Sequence, residues 1–517
     1  MRAIFSMWTR CLLGSALGIV SLVQGIDLQQ QDLIAFDLEQ DSSESSFERI
    51  GQRLESWLAI TSTSNDNQTP VLNKVLSGSE LPFKIKIELS DFPALGSGLH
   101  SNAFGTSNDL WLLIAGRTNG LHGFNNTDNF PPSQQNTVVY VVDSTNKTIA
   151  SRDLLDAGSG LTQTQVDWLS VTSPQFYQSG QTLYITGGYG IDTGSGLFST
   201  KDVLTAIDIP GLIHWVTDPS VDETAAQHIR HIQDPIFQIT GGYMSQIGSH
   251  PTLLVFGQNF IGEYTDSANG IYSEQVRRFR IIDDGSYLAI AKLSPLPTTR
   301  NSNYRRRDLN VVPTVTLKGI HKKYGLIALA GVFTEDVGVW TIPVEINSHG
   351  SAQMTPAYKK SAFKQAMNHY VCPTFGLFSE RSEKMYMVIP GGLSYGFFQD
   401  GVFETDAEIP FLNQVTTVSR NRHGHYKQYL MNNEYPVILS TQSNPGNQLL
   451  FGAGAAFIPT NNLESYQNGV FDFDKLGKYK TVVGYIVGGI QSTLPNTNTM
   501  SDSAASPYIF KVSVTRQ

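Results

Sequence analysis

Cysteine is nearly missing from this 517-residue chain, which has two. Cys11 lies in an apolar stretch at the N-terminus that is expected to be removed. Cys372 would then stand alone, which excludes an intrachain disulfide from the mature protein. Its setting, Tyr370-Val371-Cys372-Pro373, is apolar and reads as a buried, inert thiol rather than a nucleophile. Charge is also scarce. Charged residues make up 16% of the chain, with a formal net charge of -9. A surface of that kind does not attract phosphate, so nucleic acid is excluded as a partner. Beyond the N-terminus no run reaches the roughly 18 apolar residues of a membrane-spanning helix, so no membrane span is expected after signal cleavage. Nucleophile elbows of the Gly-x-Ser-x-Gly kind, phosphate loops and zinc-binding helices are missing as well.

What the chain does have is glycine, proline and apolar residues: 46 Gly, 23 Pro and 40% hydrophobic. That profile suits an all-β protein of many short strands and tight loops. The first 25 residues read as an export signal. Arg2 and Arg10 are basic, Cys11 to Val23 is apolar but short, and Val23-Gln24-Gly25 suits a signal peptidase. An uncleaved anchor is the alternative. The expected location is secreted or periplasmic. In residues 26–81, Phe47, Ile50, Leu54, Trp57 and Leu58 fall on one helical face behind Ser42 and Ser43. This stretch is expected to be a short helical and polar extension, with the main domain at 82–517.

From Pro82 onward one unit recurs: an apolar strand running into Gly, a loop, a second apolar strand, a polar turn. The Gly-ended strands are Leu110–Gly116, Thr182–Gly188, Leu253–Gly257, Gly325–Gly331, Met385–Gly392 and Val482–Gly489. The answering strands include Thr137–Asp143, Val203–Asp208, Val276–Asp283, Val337–Ile342 and Pro507–Ser513. Further strand candidates flank these, such as Tyr287–Ala291 and the run Leu449–Phe457. Four strands per unit make the blade of a propeller. Strands ending in Gly187-Gly188, Gly391-Gly392 and Gly488-Gly489 give the chain its resemblance to the kelch-repeat β-propeller family. Gly116, Gly257 and Gly331 keep one glycine of the pair, so those repeats are degenerate. The fold expected from this is a six-bladed kelch-type β-propeller. The alternating segment Phe83–Leu89 resembles the outer strand that such propellers borrow from the other terminus, since Pro507–Ser513 ends too near Gln517 to leave room for one.

In kelch propellers the loops after the glycines share one face with the inter-blade linkers, and that face binds the partner. The resemblance therefore implies a ligand-binding set of Arg117, Asn119, His122 and Phe124 from the first loop, with Tyr189, Asn259, Glu335 and Tyr395 from the others. The first loop mixes a cation, an amide, an imidazole and a ring, which suits a sugar or carboxylate. A glycine-rich turn bonded to its own backbone explains it as well. The linkers add His100, His369, Tyr370 and the run Arg305-Arg306-Arg307, read first as a solvated turn and second as an anion site.

Two enzyme families share the fold, and the chain bears a distant likeness to both. Galactose-oxidase-like copper enzymes need a Cys–Tyr pair, a second Tyr and two His, and that full set cannot be placed here. N-acetylneuraminate-epimerase-like propellers use charged groups around the channel, parts that Arg117 and Glu335 suit, though no motif carries over residue by residue. The pairs His423/His425 and His228/His231 are weak metal signals. The balance is against catalysis, with no cofactor and no metal expected. The function expected is a monomeric exported module that recognises a glycan, a cell-envelope component or a protein; a sugar-chemistry enzyme is the alternative. Exported protein should begin at Ile26. Intact-mass analysis that finds the first 25 residues still attached would count against the signal.

Overall fold

A computed structural model describes residues 72–123, 125, 127–265, 270–335, 338–497 and 501–517. The signal, the amphipathic helix and Phe124 lie outside the described residues. The described strands form five four-stranded sheets, one six-stranded sheet and four two-stranded hairpins. The architecture is an all-β propeller.

The larger sheets follow one another along the chain. In chain order, the first comprises Ala103–Ser107, Leu110–Ile114, Val138–Asp143 and Thr148–Asp153. The second runs from Gln175–Ser179 to Ile229–Gln233, the third from Tyr243–Gln246 to Leu288–Leu296, and the fourth from Asn310–Lys318 to Ala352–Met354. The fifth is the widest. Its four antiparallel strands span Phe375–Ser379 to Tyr426–Leu430, and Val75–Ser77 and Phe471–Asp472 add to its two sides in parallel. The sixth contains Ala456–Pro459, Thr481–Val487 and Ile509–Arg516. Phe83–Leu89 pairs antiparallel with that last strand, from Phe83 opposite Arg516 to Leu89 opposite Phe510. Alternation drives this pairing: Phe83, Ile85 and Ile87 are buried while Lys84 and Lys86 face water.

The core lies between successive sheets, as two apolar faces require. One buried cluster joins the first and second sheets through Leu112, Val141, Leu183 and Ile207. Others join each later neighbour, and one joins the sixth sheet to the first through Ile458, Val487, Trp111 and Leu113. At the inner end, six backbone hydrogen bonds run in a circuit. Ser173 N donates to Ser101 O, Gly241 N to Ser173 O and Asp308 N to Gly241 O. Val371 N then donates to Asp308 O, Gly454 N to Val371 O and Ser101 N to Gly454 O, at 2.6 to 3.2 Å. All six residues have positive φ, between 49° and 65°.

Some expected strands fall elsewhere. In the fourth sheet the third strand is Val344–Asn347, not Val337–Ile342. Val339 and Ile342 are buried outside the named strands of the sheet, Val339 in the cluster that holds Leu393 and Ile490. Likewise Leu449–Phe457 is not a strand over its length: Leu449, Phe451 and Ala453 turn into the core, and the strand is Ala456–Pro459. Two helices were missed, Gln163–Leu169 and Ile209–Thr217. The second had a sequence signal, Asp208 capping Gly211 N with Pro210 in the first turn. It buries Leu212, Trp215 and Val216 against the first two sheets.

Phe83 packs edge-on against Tyr386 of the fifth sheet at 5.2 Å and tilts against Phe473 at 5.6 Å. Phe83→Ala should therefore cost about 3–5 kcal/mol, read by denaturant unfolding of the full chain. A loss below about 1 kcal/mol would show that the N-terminal strand is not part of the cooperative fold.

Candidate functional site

One backbone arrangement recurs around the axis and decides which side chains meet there. The residue after each strand-ending glycine pairs with the residue just before the hydrogen-bonded circuit. The bridges are His100 with Arg117, Thr172 with Tyr189, Thr240 with Gln258, Arg307 with Val332, and Tyr370 with Leu393. In the sixth unit Ile490 N donates to Ala453 O at 2.7 Å. The glycines allow the approach. Gly187 and Gly188 have φ of 64° and 80°, and a Cβ on Gly187 would strike the Ile239 carbonyl. The six post-glycine residues, Arg117, Tyr189, Gln258, Val332, Leu393 and Ile490, all line one cavity of about 180 Å³.

The cavity has two unlike sides. On the side of the first three units, aromatic rings are packed together. His122 stacks on Phe130 at 5.0 Å and meets Tyr264 at 4.8 Å, while Phe130 meets Tyr189 at 5.4 Å. Arg117 lies over the Phe130 ring at 5.1 Å. On the side of the last three units Val332, Leu393, Ile409, Phe411 and Ile490, part of one buried cluster, form an apolar patch, with Glu408, Asn496 and Thr497 also in the lining.

Arg117 is 2% exposed. Its Nε donates to Asn119 Oδ1 at 2.9 Å and its Nη2 to Pro131 O at 2.8 Å. Burial lowers its pKa to about 10, so the guanidinium keeps its charge at neutral pH. Arg307 is bonded differently: Nε to Tyr272 OH, Nη2 to Tyr264 OH, and Nη1 to Asp308 Oδ2 at 3.2 Å. Burial acts to lower its pKa, but Tyr264, Tyr272 and Asp308 together raise it well above the ordinary value. Burial pushes the Asp308 carboxyl up, against the pull of Arg307. Burial also lowers the imidazoles of His100 to about 3 and His122 to about 4.

Of the residues singled out from sequence, Arg117, His122 and Tyr189 line the cavity together. Asn119 stands behind Arg117 and holds it. Asn259 lies in the short strand Gln258–Asn259, one position past the lining residue. Glu335 is exposed and Tyr395 half-buried, and neither reaches the lining. Phe124 lies outside the described residues. Among the linker residues, His100, Arg307 and Tyr370 line the cavity and His369 does not. The run Arg305–Arg307 is not a solvated turn. Arg306 is fully buried, donating to the carbonyls of Asn303, Ala330 and Ile342 and lying over Trp340 at 4.4 Å. Sequence reasoning missed Phe130, Tyr264, Gln258, Asp308 and the aliphatic wall. Among the described residues no group of three or more His, Cys, Asp or Glu is placed to hold a metal ion, and no helix is long and apolar enough to cross a membrane.

No family model and no curated protein matches the chain. Among solved structures, one titled "Structure of YjhT" matches with a TM-score of 0.42 and 12% identity, over 83% of this chain and 100% of that one. A likeness so distant carries nothing about activity, and function has to be read from the cavity.

The folded chain keeps His100, His122 and the buried His369, also lowered by burial to about 4, neutral where an unfolded chain would protonate them. They therefore work against the fold as pH falls from 6.5 toward 4. Histidine-resolved NMR should find these three rings, and the likewise buried His231, still neutral near pH 5.5. His100 and His122 titrating at the ordinary value would show that the cavity wall is open to water.

Proposed function

We propose that this chain is an exported, six-bladed kelch-type propeller, monomeric, that binds a small glycan or cell-envelope component in the cavity at its axis. Three features support six blades: the six successive sheets, the hydrogen-bonded circuit that returns to Ser101, and the apolar cluster between the last sheet and the first. The pairing of Phe83–Leu89 with Ile509–Arg516 supports closure by a borrowed outer strand. Export rests on the basic and apolar pattern of residues 1–25. The observation that carries ligand binding is the convergence of one residue from each unit on a single cavity, with a buried charged guanidinium among them. Unlike the buried Arg306, this guanidinium lines the cavity and keeps N–H donors beyond those given to Asn119 and Pro131.

Catalysis of sugar chemistry is the second reading. It is favoured by the Asp308 carboxyl, raised by burial, lining the same cavity as two neutral imidazoles. Titratable groups pushed apart in this way can serve as acid and base.

A screen of glycans and envelope components against the purified chain tests the proposal, followed by incubation of any hit to look for product. Phe130 is half-buried and lines the cavity, so Phe130→Ala should weaken a hit by about 1–2 kcal/mol in protein that denaturant unfolding shows to be still folded. Binding that ignores this substitution moves the site away from the axis. Product formation transfers the conclusion to the second reading.

A further inference from the structure

The two walls of the cavity ask for a ligand with two ends. Arg117 engages two neutral acceptors and no carboxylate among the described residues. A guanidinium carries five N–H donors, so most of its hydrogen-bonding capacity is left over. Arg306 is the useful contrast. It is equally buried, yet each of its three nitrogens meets a backbone carbonyl and it does not line the cavity. Arg307 already holds Asp308. Although Glu408 also lines the cavity, Arg117 thus has no carboxylate bonded to it among the described residues. Beside it, His100 is 5% exposed, and its Nε2 is buried with no hydrogen-bond partner. The backbone of Asn119 and Gly120 lies close enough to favour the protonated ring. His100 lines the cavity beside Arg117 as a second polar group.

Leu393, Ile409, Phe411 and Ile490 give the opposite wall an apolar patch, beside Glu408, Asn496 and Thr497, which line the cavity too. A sugar hydroxyl laid against that patch would be left unpaired, which is costly. The volume, about 180 Å³, is a little above the roughly 150 Å³ of a dry cavity that takes benzene.

We propose that the cavity binds a small amphipathic carboxylate, its anionic group on Arg117 and His100 and its hydrocarbon body against Leu393, Ile409, Phe411 and Ile490. This rests on the ligand-binding reading above and narrows it, within cell-envelope components, to molecules bearing an acyl or aryl group and an acid.

Calorimetric titration of the purified full chain with octanoate, octanamide and glucuronate tests it. Octanoate should bind, octanamide about tenfold to a hundredfold more weakly, as expected for loss of a hydrogen bond to charge, and glucuronate not measurably. Arg117→Gln should bring octanoate down to the level of octanamide. Ile409→Ser should weaken octanoate and octanamide alike. The comparison on the unsubstituted chain decides the matter even if Arg117→Gln fails to fold. Equal binding of octanoate and octanamide overturns the anion site, and glucuronate binding as well as octanoate overturns the apolar wall. If no probe binds while a screened glycan does, in a manner sensitive to Phe130→Ala, this inference falls and the ligand-binding reading stands. If nothing binds at all, both fall.

Discussion

The architecture hangs on the circuit of backbone hydrogen bonds at the axis. Each unit donates one amide to the carbonyl of the unit before it, and the chain can do so only where φ is positive. Glycine supplies that conformation at Gly241 and Gly454. Ser101, Ser173, Asp308 and Val371 adopt it at a cost of about 1–2 kcal/mol each, and for β-branched Val371 the conformation is a true outlier. Such strain persists only where the surroundings over-determine it. Here they do, because every donor and acceptor in the circuit is matched and the apolar clusters behind it fix the sheets. Val371 also packs its side chain against the aliphatic cluster, which gives the strained residue a compensating contact.

Once the circuit is set, the site follows from it. The residue before each circuit position and the residue after each glycine are bridged, so both face the axis whatever their side chains. The scaffold repeats, but the chemistry at the repeated places does not. The first three units place Arg117, Tyr189 and Gln258 there, and the last three place Val332, Leu393 and Ile490. A symmetric frame thereby holds an asymmetric cavity. Recognition is separated from folding: backbone bonds build the ring, and side chains at fixed positions choose what it holds.

That division explains what was legible in the sequence. Strands and their glycine ends are local patterns, and Leu110–Ile114, Val203–Asp208 and Val276–Asp283 fall where alternation and turn residues place them. Position and polarity agreed at Arg117 and Tyr189, and His122 of the first loop and the linker residues His100 and Tyr370 also line the cavity. Elsewhere polarity misled. Asn259 and Glu335 were chosen as polar loop residues, while the positional rule points to Gln258 and Val332. Phe130 and Tyr264 arrive from within long loops, whose path no local pattern encodes. The Arg305–Arg307 run misled for a related reason. A charge run usually means water, yet ring faces and backbone carbonyls replace the solvent of Arg306.

Three buried or partly buried arginines stand near the axis, and their partners separate their roles. Arg306 is saturated by carbonyls, so its charge fixes a loop and offers nothing outward. Arg307 carries Asp308, so its field is largely cancelled before it reaches the cavity. Arg117 has an amide, one carbonyl and the face of Phe130, which soften the loss of water without supplying a negative charge. In a low-dielectric site such a cation exerts its field over a longer range than it would in water. The same burial that makes Arg117 a strut for its loop therefore makes it the strongest attraction for an anion inside the cavity. Structural and binding roles need not compete here, because the groups that hold the guanidinium in place use different N–H donors from those left for a ligand.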